Sequence, residues 1–95
     1  MDRQVIYQML TTGAGHSKMT ELRMPLMISG EYDPPTASLE VFEKDLSVIG
    51  DDLRRLGLQV PLFDAVDALY KAASADLPGH FDAASVFEVY RKNKQ

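Results

Sequence analysis

The apolar positions of this chain recur with helical spacing in every block, and no stretch alternates as a half-buried strand would. Val5, Ile6, Met9 and Leu10 share one face of a helix running from Asp2 to about Leu10. Gly13 and Gly15 then stop it, since glycine accepts left-handed backbone angles at little cost. Ser17 is a good N-cap for a second helix that contains Glu21 and Leu22. Pro25 either interrupts that helix or sits in the first turn of a continuation through Met27 and Ile28. Gly30 ends the segment, and Glu31 to Ser38 reads as a turn-rich loop with two consecutive prolines.

The strongest pattern follows. Leu39, Phe42, Leu46, Ile49, Leu53 and Leu56 lie alternately three and four apart, a stripe sustained over roughly five turns at 3.6 residues per turn. Gly57 is placed to cap it, and Pro61 to open the next helix, whose face is Leu62, Val66, Leu69, Tyr70 and Ala73. Leu77-Pro78-Gly79 breaks that helix. Asp82 caps a last one carrying Ala83, Val86, Phe87 and Tyr90. Arg91 and Lys92 suit its negative pole, and Lys94 and Gln95 complete a polar end. The expected fold is all-α: one small bundle of about five helices.

Composition narrows the function classes. The chain has 95 residues and a formal net charge of −4, and its ten lysines and arginines are scattered. Only Arg54-Arg55 and Arg91-Lys92 are adjacent, so there is no basic stripe and nucleic acid is not an expected partner. With no cysteine, disulfides, thiolate metal sites and a cysteine nucleophile are excluded. The same absence fits a reducing cytoplasm, the expected compartment. No apolar run reaches the roughly 18 residues of a membrane span, and MDRQVIYQML does not read as a signal peptide.

The stretch TTGAGHSK, Thr11 to Lys18, has the letters of a nucleotide-binding loop. It lacks the context: its glycines follow a helix rather than a strand, no Gly-Lys pair exists, and Lys18 stands where a third glycine would be needed. His16 and His80 are far apart in sequence and lack further ligands for a zinc site. Ser17 beside His16 has no nucleophile elbow around it, and capping accounts for the serine. Glu40, Glu43, Asp51 and Asp52 fall mostly off the apolar stripe and read as a solvated face, with Glu40 and Lys44 spaced for an i,i+4 ion pair. Lys44 itself leaves two readings open: a surface lysine, or a point charge for a nucleotide phosphate or ribose. Met19, Met24 and Met27 partly share one side if the second helix runs through Pro25, as core filling or as a pliable contact surface.

Three stretches, in order, carry a resemblance. GAGHSKMTELRMPLMISGEYDPP (Gly13 to Pro35) holds a glycine-serine loop, an Arg-x-Pro helix and a Gly-acid-aromatic turn. VFEKDL (Val41 to Leu46) holds a Lys-Asp-Leu helix. Gly57 to Tyr90 runs from Gly through Pro-Leu and a tyrosine-bearing helix to an Asp and a Ser before the terminal helix. Together they resemble the C-terminal helical domain of the 3-hydroxyisobutyrate dehydrogenase family of β-hydroxyacid dehydrogenases, related to 6-phosphogluconate dehydrogenase. Tyr-Asp-Pro-Pro and Val-Phe-Glu-Lys-Asp are most similar to its sugar-acid members.

The resemblance implies hydride transfer between NAD or NADP and the β-hydroxyl of a small hydroxy acid. It implies that Lys44 reaches the cofactor, with Asp45 steadying that helix or the cofactor end of the cleft. Ser17 and Lys18, in the glycine-serine loop, become candidates for substrate contacts; many relatives carry tryptophan where Lys18 stands. The family's dinucleotide-binding domain and the helix bearing its catalytic lysine have no counterpart in the sequence, so no catalytic residue is assigned. The chain is expected to be part of a larger enzyme, inactive by itself, and to form homo-oligomers through its helices. A stand-alone helical interaction module is the alternative.

Overall fold

The computed structural model describes residues 1–92; Lys94 and Gln95, expected to form a polar end, lie outside the described residues. The described residues form five α-helices and one 3-10 turn: α1 (Arg3–Thr12), α2 (Lys18–Ser29), α3 (Leu39–Arg55), α4 (Pro61–Asp76), the turn Ala83–Val86, and α5 (Phe87–Lys92). Among the described residues there is no strand, only one isolated antiparallel bridge between Ser38 and Asp82. The all-α expectation is correct.

The helix starts follow local chemistry. Asp2, Ser17 and Ser38 each accept a hydrogen bond from a backbone N–H in the first turn of the helix they cap, and Pro61 opens α4 where its missing N–H costs nothing. Gly30 and Gly57 close α2 and α3 in the left-handed region, at φ 74° and 69°. Gly13 departs from expectation: it ends α1 in extended backbone at φ −91°. Its lack of a side chain matters for proximity instead, because a Cβ there would come within 2.9 Å of the Met9 carbonyl oxygen.

α2 runs straight through Pro25, so the continuous-helix alternative is the right one. Proline has no N–H to give the carbonyl four residues back, which is that of Glu21. The Tyr7 hydroxyl of α1 donates to that carbonyl at 3.3 Å. The α1–α2 hairpin thus uses one helix to satisfy the acceptor that the other leaves open.

Two helical hairpins, α1–α2 and α3–α4, meet at the short Ala83–Val86 turn, which packs on α2, α3, α4 and α5. All but one of the buried residues among those described gather there, namely Leu39, Tyr32, Ala73, Ala83, Ala84, Asp82 and Ser85; Gly50, beside Phe63, is the exception. Alanines at the crossing let backbones approach, and four hydrogen bonds lace the two segments: Leu39 N–H to Phe81 O, Glu40 N–H to Gly79 O, Asp82 N–H to Tyr32 O, and Ala83 N–H to Ala37 O, at 2.8–3.1 Å.

Away from this hub the molecule is open. Its radius of gyration is 14.6 Å, against roughly 12 Å for a compact domain of this length. Its accessible surface is 6655 Å², against roughly 5,500 Å² for a monomeric protein of its mass. Several positions on the expected apolar faces are therefore exposed: Val5, Met9 and Leu10 on α1, Ile49 and Leu56 at the far end of α3, and Leu62 on α4. Helical periodicity identified a face in each case, but no neighbour in the described chain covers these parts of it.

Tyr32 ties the loop after α2 to α5. It is buried, and its hydroxyl donates to Glu88 Oε2 at 2.5 Å. Desolvation, then that hydrogen bond and the negative charge of Glu88, raise its hydroxyl far above the ordinary tyrosine range. A raised folded-state value gives stability that is complete below the unfolded value near pH 10 and is lost as pH rises past it. Thermal melts from pH 8 to 11 should show a destabilisation approaching about 1.4 kcal/mol per pH unit above pH 10. Tyr32→Phe should flatten that slope; an unchanged slope would show that Tyr32 is not its source.

Candidate functional site

α3 stands between two cavities. On one side, with α4, it forms an open groove of about 470 Å³ lined by Glu40, Glu43, Lys44, Ser47, Arg54, Asp67 and Lys71, with Leu46 and Gly50 at its floor. On the other side Phe42 joins Leu10, Met19, Thr20, Arg23, Met24, Met27 and Tyr70 around a cavity of about 320 Å³. The three methionines that the sequence placed on one side of α2 do line this cavity together.

Within the groove the cations differ. Lys71 Nζ is 2.9 Å from Asp67 Oδ2, and Arg54 pairs with Asp51 one turn back on α3. Lys44 is exposed and has no carboxylate within 4.0 Å among the described residues. The expected Glu40–Lys44 ion pair is not formed: Glu40 sits in the first turn of α3 with its side chain against Gly79. Lys44 therefore offers an unneutralised ammonium, while Glu40, Glu43 and Asp67 offer acceptors beside it. That donor set fits one end of a dinucleotide, with the lysine toward phosphate or ribose oxygen and carboxylates toward ribose hydroxyls. Asp45 is exposed, lies outside the lining of this groove and makes no ion pair or side-chain hydrogen bond among the described residues.

Ser17 and Lys18 belong to the other side. Ser17 Oγ accepts from Thr20 N–H at 3.1 Å and lies 2.9 Å from Thr20 Oγ1, and Thr20 borders the methionine-lined cavity. Lys18 Nζ is 3.5 Å from Glu21 Oε1 and largely exposed. Lys44 lines the α3–α4 groove, and Ser17 and Lys18 do not. His16 turns to Glu21 at 3.7 Å, not to Ser17, and His80 lies 3.8 Å from Asp33, both exposed. Two backbone donors of the loop Gly13 to Ser17 are taken up within the chain, Gly13 N–H by Met9 O and His16 N–H by Gly13 O. Those donors are not available to a phosphate. Among the described residues no group of three or more His, Asp or Glu side chains is arranged to hold a metal ion.

The residues that sequence reasoning underrated are Arg23, Thr36 and Asp82. Asp82 was expected only to cap the last helix. It caps the 3-10 turn Ala83–Val86 instead, accepting from Ala84 N–H at 2.8 Å, and the last helix starts only at Phe87; it is also fully buried and its other oxygen accepts from Arg23 Nη1 at 2.8 Å, Thr36 N–H at 2.9 Å, Thr36 Oγ1 at 3.1 Å and Ala37 N–H at 3.4 Å. Burial pushes the carboxyl up; the N–H donors of Ala84 and Thr36, the Thr36 hydroxyl and the Arg23 charge together outweigh it and hold the group below its ordinary value. This cluster binds α2 to the start of α3 and so fixes the helix that presents Lys44. Its sequence signal was present in the Arg-x-Pro and Asp-Ser motifs, which do not themselves say that the two meet.

An all-α domain with a polar groove beside a solitary lysine and a methionine-lined cavity behind it is the frame that the comparisons then specify. Residues 1–90 match the family model described as NAD-binding of NADP-dependent 3-hydroxyisobutyrate dehydrogenase, and the chain belongs to that family. It is 31% identical over 90 residues to an L-threonate dehydrogenase of Cupriavidus necator, covering 95% of this chain and 30% of that protein. It is also 31% identical over 86 residues to an L-threonate dehydrogenase of Escherichia coli K12, covering 90% of this chain and 28% of the relative. A crystal structure of 3-hydroxyisobutyrate dehydrogenase from Salmonella typhimurium superposes with a TM-score of 0.83 at 30% identity, over 92% of this chain and 30% of that one. The chain thus spans about 30% of the length of these relatives. No helix among the described residues is long and apolar enough to cross a membrane.

Proposed function

We propose that this chain serves as helical-domain material of an NAD(P)-dependent β-hydroxyacid dehydrogenase, acting with a dinucleotide-binding part to move a hydride between the nicotinamide cofactor and a small hydroxy acid of the sugar-acid type. The observation that carries this reading is Lys44: within a family whose description names NAD binding, it is the groove lysine left without a carboxylate partner among the described residues. Lys44, with Asp45 next to it, faces the cofactor and caps its cleft. Ser17 and Lys18 shape the acid-binding side through Thr20. No residue of this chain is assigned a proton-transfer role, because the resemblance gives none a match to the catalytic lysine. The bound nicotinamide supplies the hydride chemistry; this chain contributes charge, shape and self-association.

A hybrid enzyme tests it. This chain replaces the matching 30% of the Cupriavidus L-threonate dehydrogenase, and folding is checked by circular dichroism. Cofactor-dependent oxidation of L-threonate should be retained in the hybrid, whereas the 95-residue chain by itself should show no turnover and no micromolar NAD(P) affinity. A folded hybrid without activity, or tight cofactor binding by the chain alone, would overturn the reading.

A further inference from the structure

The loop after α4 closes the start of α3. It turns tightly, Phe81 N–H donating to Pro78 O at 3.1 Å, and its carbonyls take the first two N–H groups of the helix: Leu39 N–H to Phe81 O at 2.9 Å and Glu40 N–H to Gly79 O at 3.1 Å. The third, Val41 N–H, goes to Ser38 Oγ at 3.2 Å. The donors that a first turn leaves open are thus used within the chain, and a negative ligand in the groove has only side-chain cations to meet. The register of the loop is fixed by Asp82, through its carboxylate on Arg23 and Thr36 and its N–H on Tyr32 O. In that register Gly79 lies against Glu40. The three atoms nearest to where its Cβ would be all belong to the Glu40 side chain: Cγ at 2.6 Å, Cδ at 2.8 Å and Oε1 nearer still. Gly79 is not one of the positive-φ glycines, which are Gly30 and Gly57. What glycine supplies at 79 is therefore room, not a special backbone angle.

We infer that Gly79 is a positioning residue for Lys44: its bare Cα gives the Glu40 carboxylate a place of its own and so keeps the groove's ammonium open for an anionic group of the cofactor. The inference rests on the proposed cofactor role of Lys44. By spacing alone Glu40 and Lys44 should pair, since Glu four residues before Lys is the favoured order on a helix. Same-helix pairs do form elsewhere on this chain, Asp67 with Lys71 at 2.9 Å and Glu88 with Arg91 at 3.3 Å. Glu40 and Lys44 are both exposed, so burial does not keep them apart; the space over Gly79 does. The other groove cations are already committed, Lys71 to Asp67 and Arg54 to Asp51. Lys44 is therefore the charge that the position of Glu40 decides. A side chain at 79 would fill the space, and the carboxylate, carried on a flexible stem, would move along its own helix to the ammonium one turn on.

Steady-state kinetics of the hybrid enzyme test this. Gly79→Ala should keep the circular dichroism of the parent, because only the Glu40 side chain has to yield. Its cofactor KM should rise about two- to threefold, the competition expected from an exposed Glu–Lys pair at this spacing, with kcat unchanged. Introduced into a Glu40→Gln background, Gly79→Ala should leave the KM of that background unmoved, because no carboxylate remains to be displaced. It should be equally silent in a Lys44→Ala background, where there is no ammonium to mask. An unmoved KM for Gly79→Ala in the parent, a rise that persists beside Glu40→Gln or Lys44→Ala, or a variant that does not fold overturns the inference. Each of these leaves the cofactor reading standing as long as Lys44→Ala by itself raises the KM. If it does not, or if the hybrid has no turnover, the reading and the inference fall together.

Discussion

Asp82→Ala should destabilise the chain by about 3–5 kcal/mol, the cost of removing one partner from a buried, hydrogen-bonded ion pair. Five donors lose their acceptor at once: the Arg23 guanidinium, the N–H groups of Thr36, Ala37 and Ala84, and the Thr36 hydroxyl. Arg23, nearly buried and with Nε already lacking a partner, would be left as an uncompensated charge. Folded domains hold only about 5–15 kcal/mol in total, and at this length each kcal/mol moves the melting temperature by about 4–8 °C. Chemical denaturation should therefore show a variant that is partly unfolded near 37 °C. Asp82→Asn should fall only a little short of this, since an amide NH₂ would face N–H donors on one side. A loss below about 1 kcal/mol for Asp82→Asn would show that the carboxylate's charge is not what holds the crossing. The pH sign follows from the lowered carboxyl. Its contribution is full above the unfolded value near 4 and fades as pH falls below it, so acid should loosen the hub first.

The second large effect is on binding, not on folding. In the hybrid enzyme, Lys44→Ala should raise the cofactor KM by about 10- to 100-fold, the range of a hydrogen bond to a charged group, with little change in kcat. Lys44 is exposed and makes no ion pair among the described residues, so the variant's melting temperature should stay that of the parent. Lys44→Arg should recover part of the loss, because the charge is restored but the point-charge geometry is not. Asp45→Asn should move the KM less, since Asp45 lies outside the groove lining. An unchanged KM in Lys44→Ala would remove the cofactor role from this residue and leave the groove as solvated surface.

Much of the fold was legible because its determinants are local. Ser17, Gly30, Ser38, Gly57 and Pro61 act within their own turn of chain, and each stands where the sequence placed a helix end. Gly13 was legible as a stop but not in its reason: the Met9 carbonyl that it must approach is set by how the end of α1 closes. The site was legible only in part. Lys44 could be singled out by resemblance, yet its freedom from Glu40 depended on Gly79, some forty residues away in sequence, lying against the first turn of α3.

The sequence by itself determined that the chain is helical, where most of its helices begin and end, and which family motifs it carries, because spacing and capping act over a few residues. Tertiary structure alone decided that Arg23 and Asp82 meet, 59 positions apart, and that Lys44 lines a groove that Ser17 and Lys18 do not. It also decided that the apolar face of α1 stays uncovered. Periodicity fixes which residues share a face; only the path of the whole chain fixes whether anything lies against it.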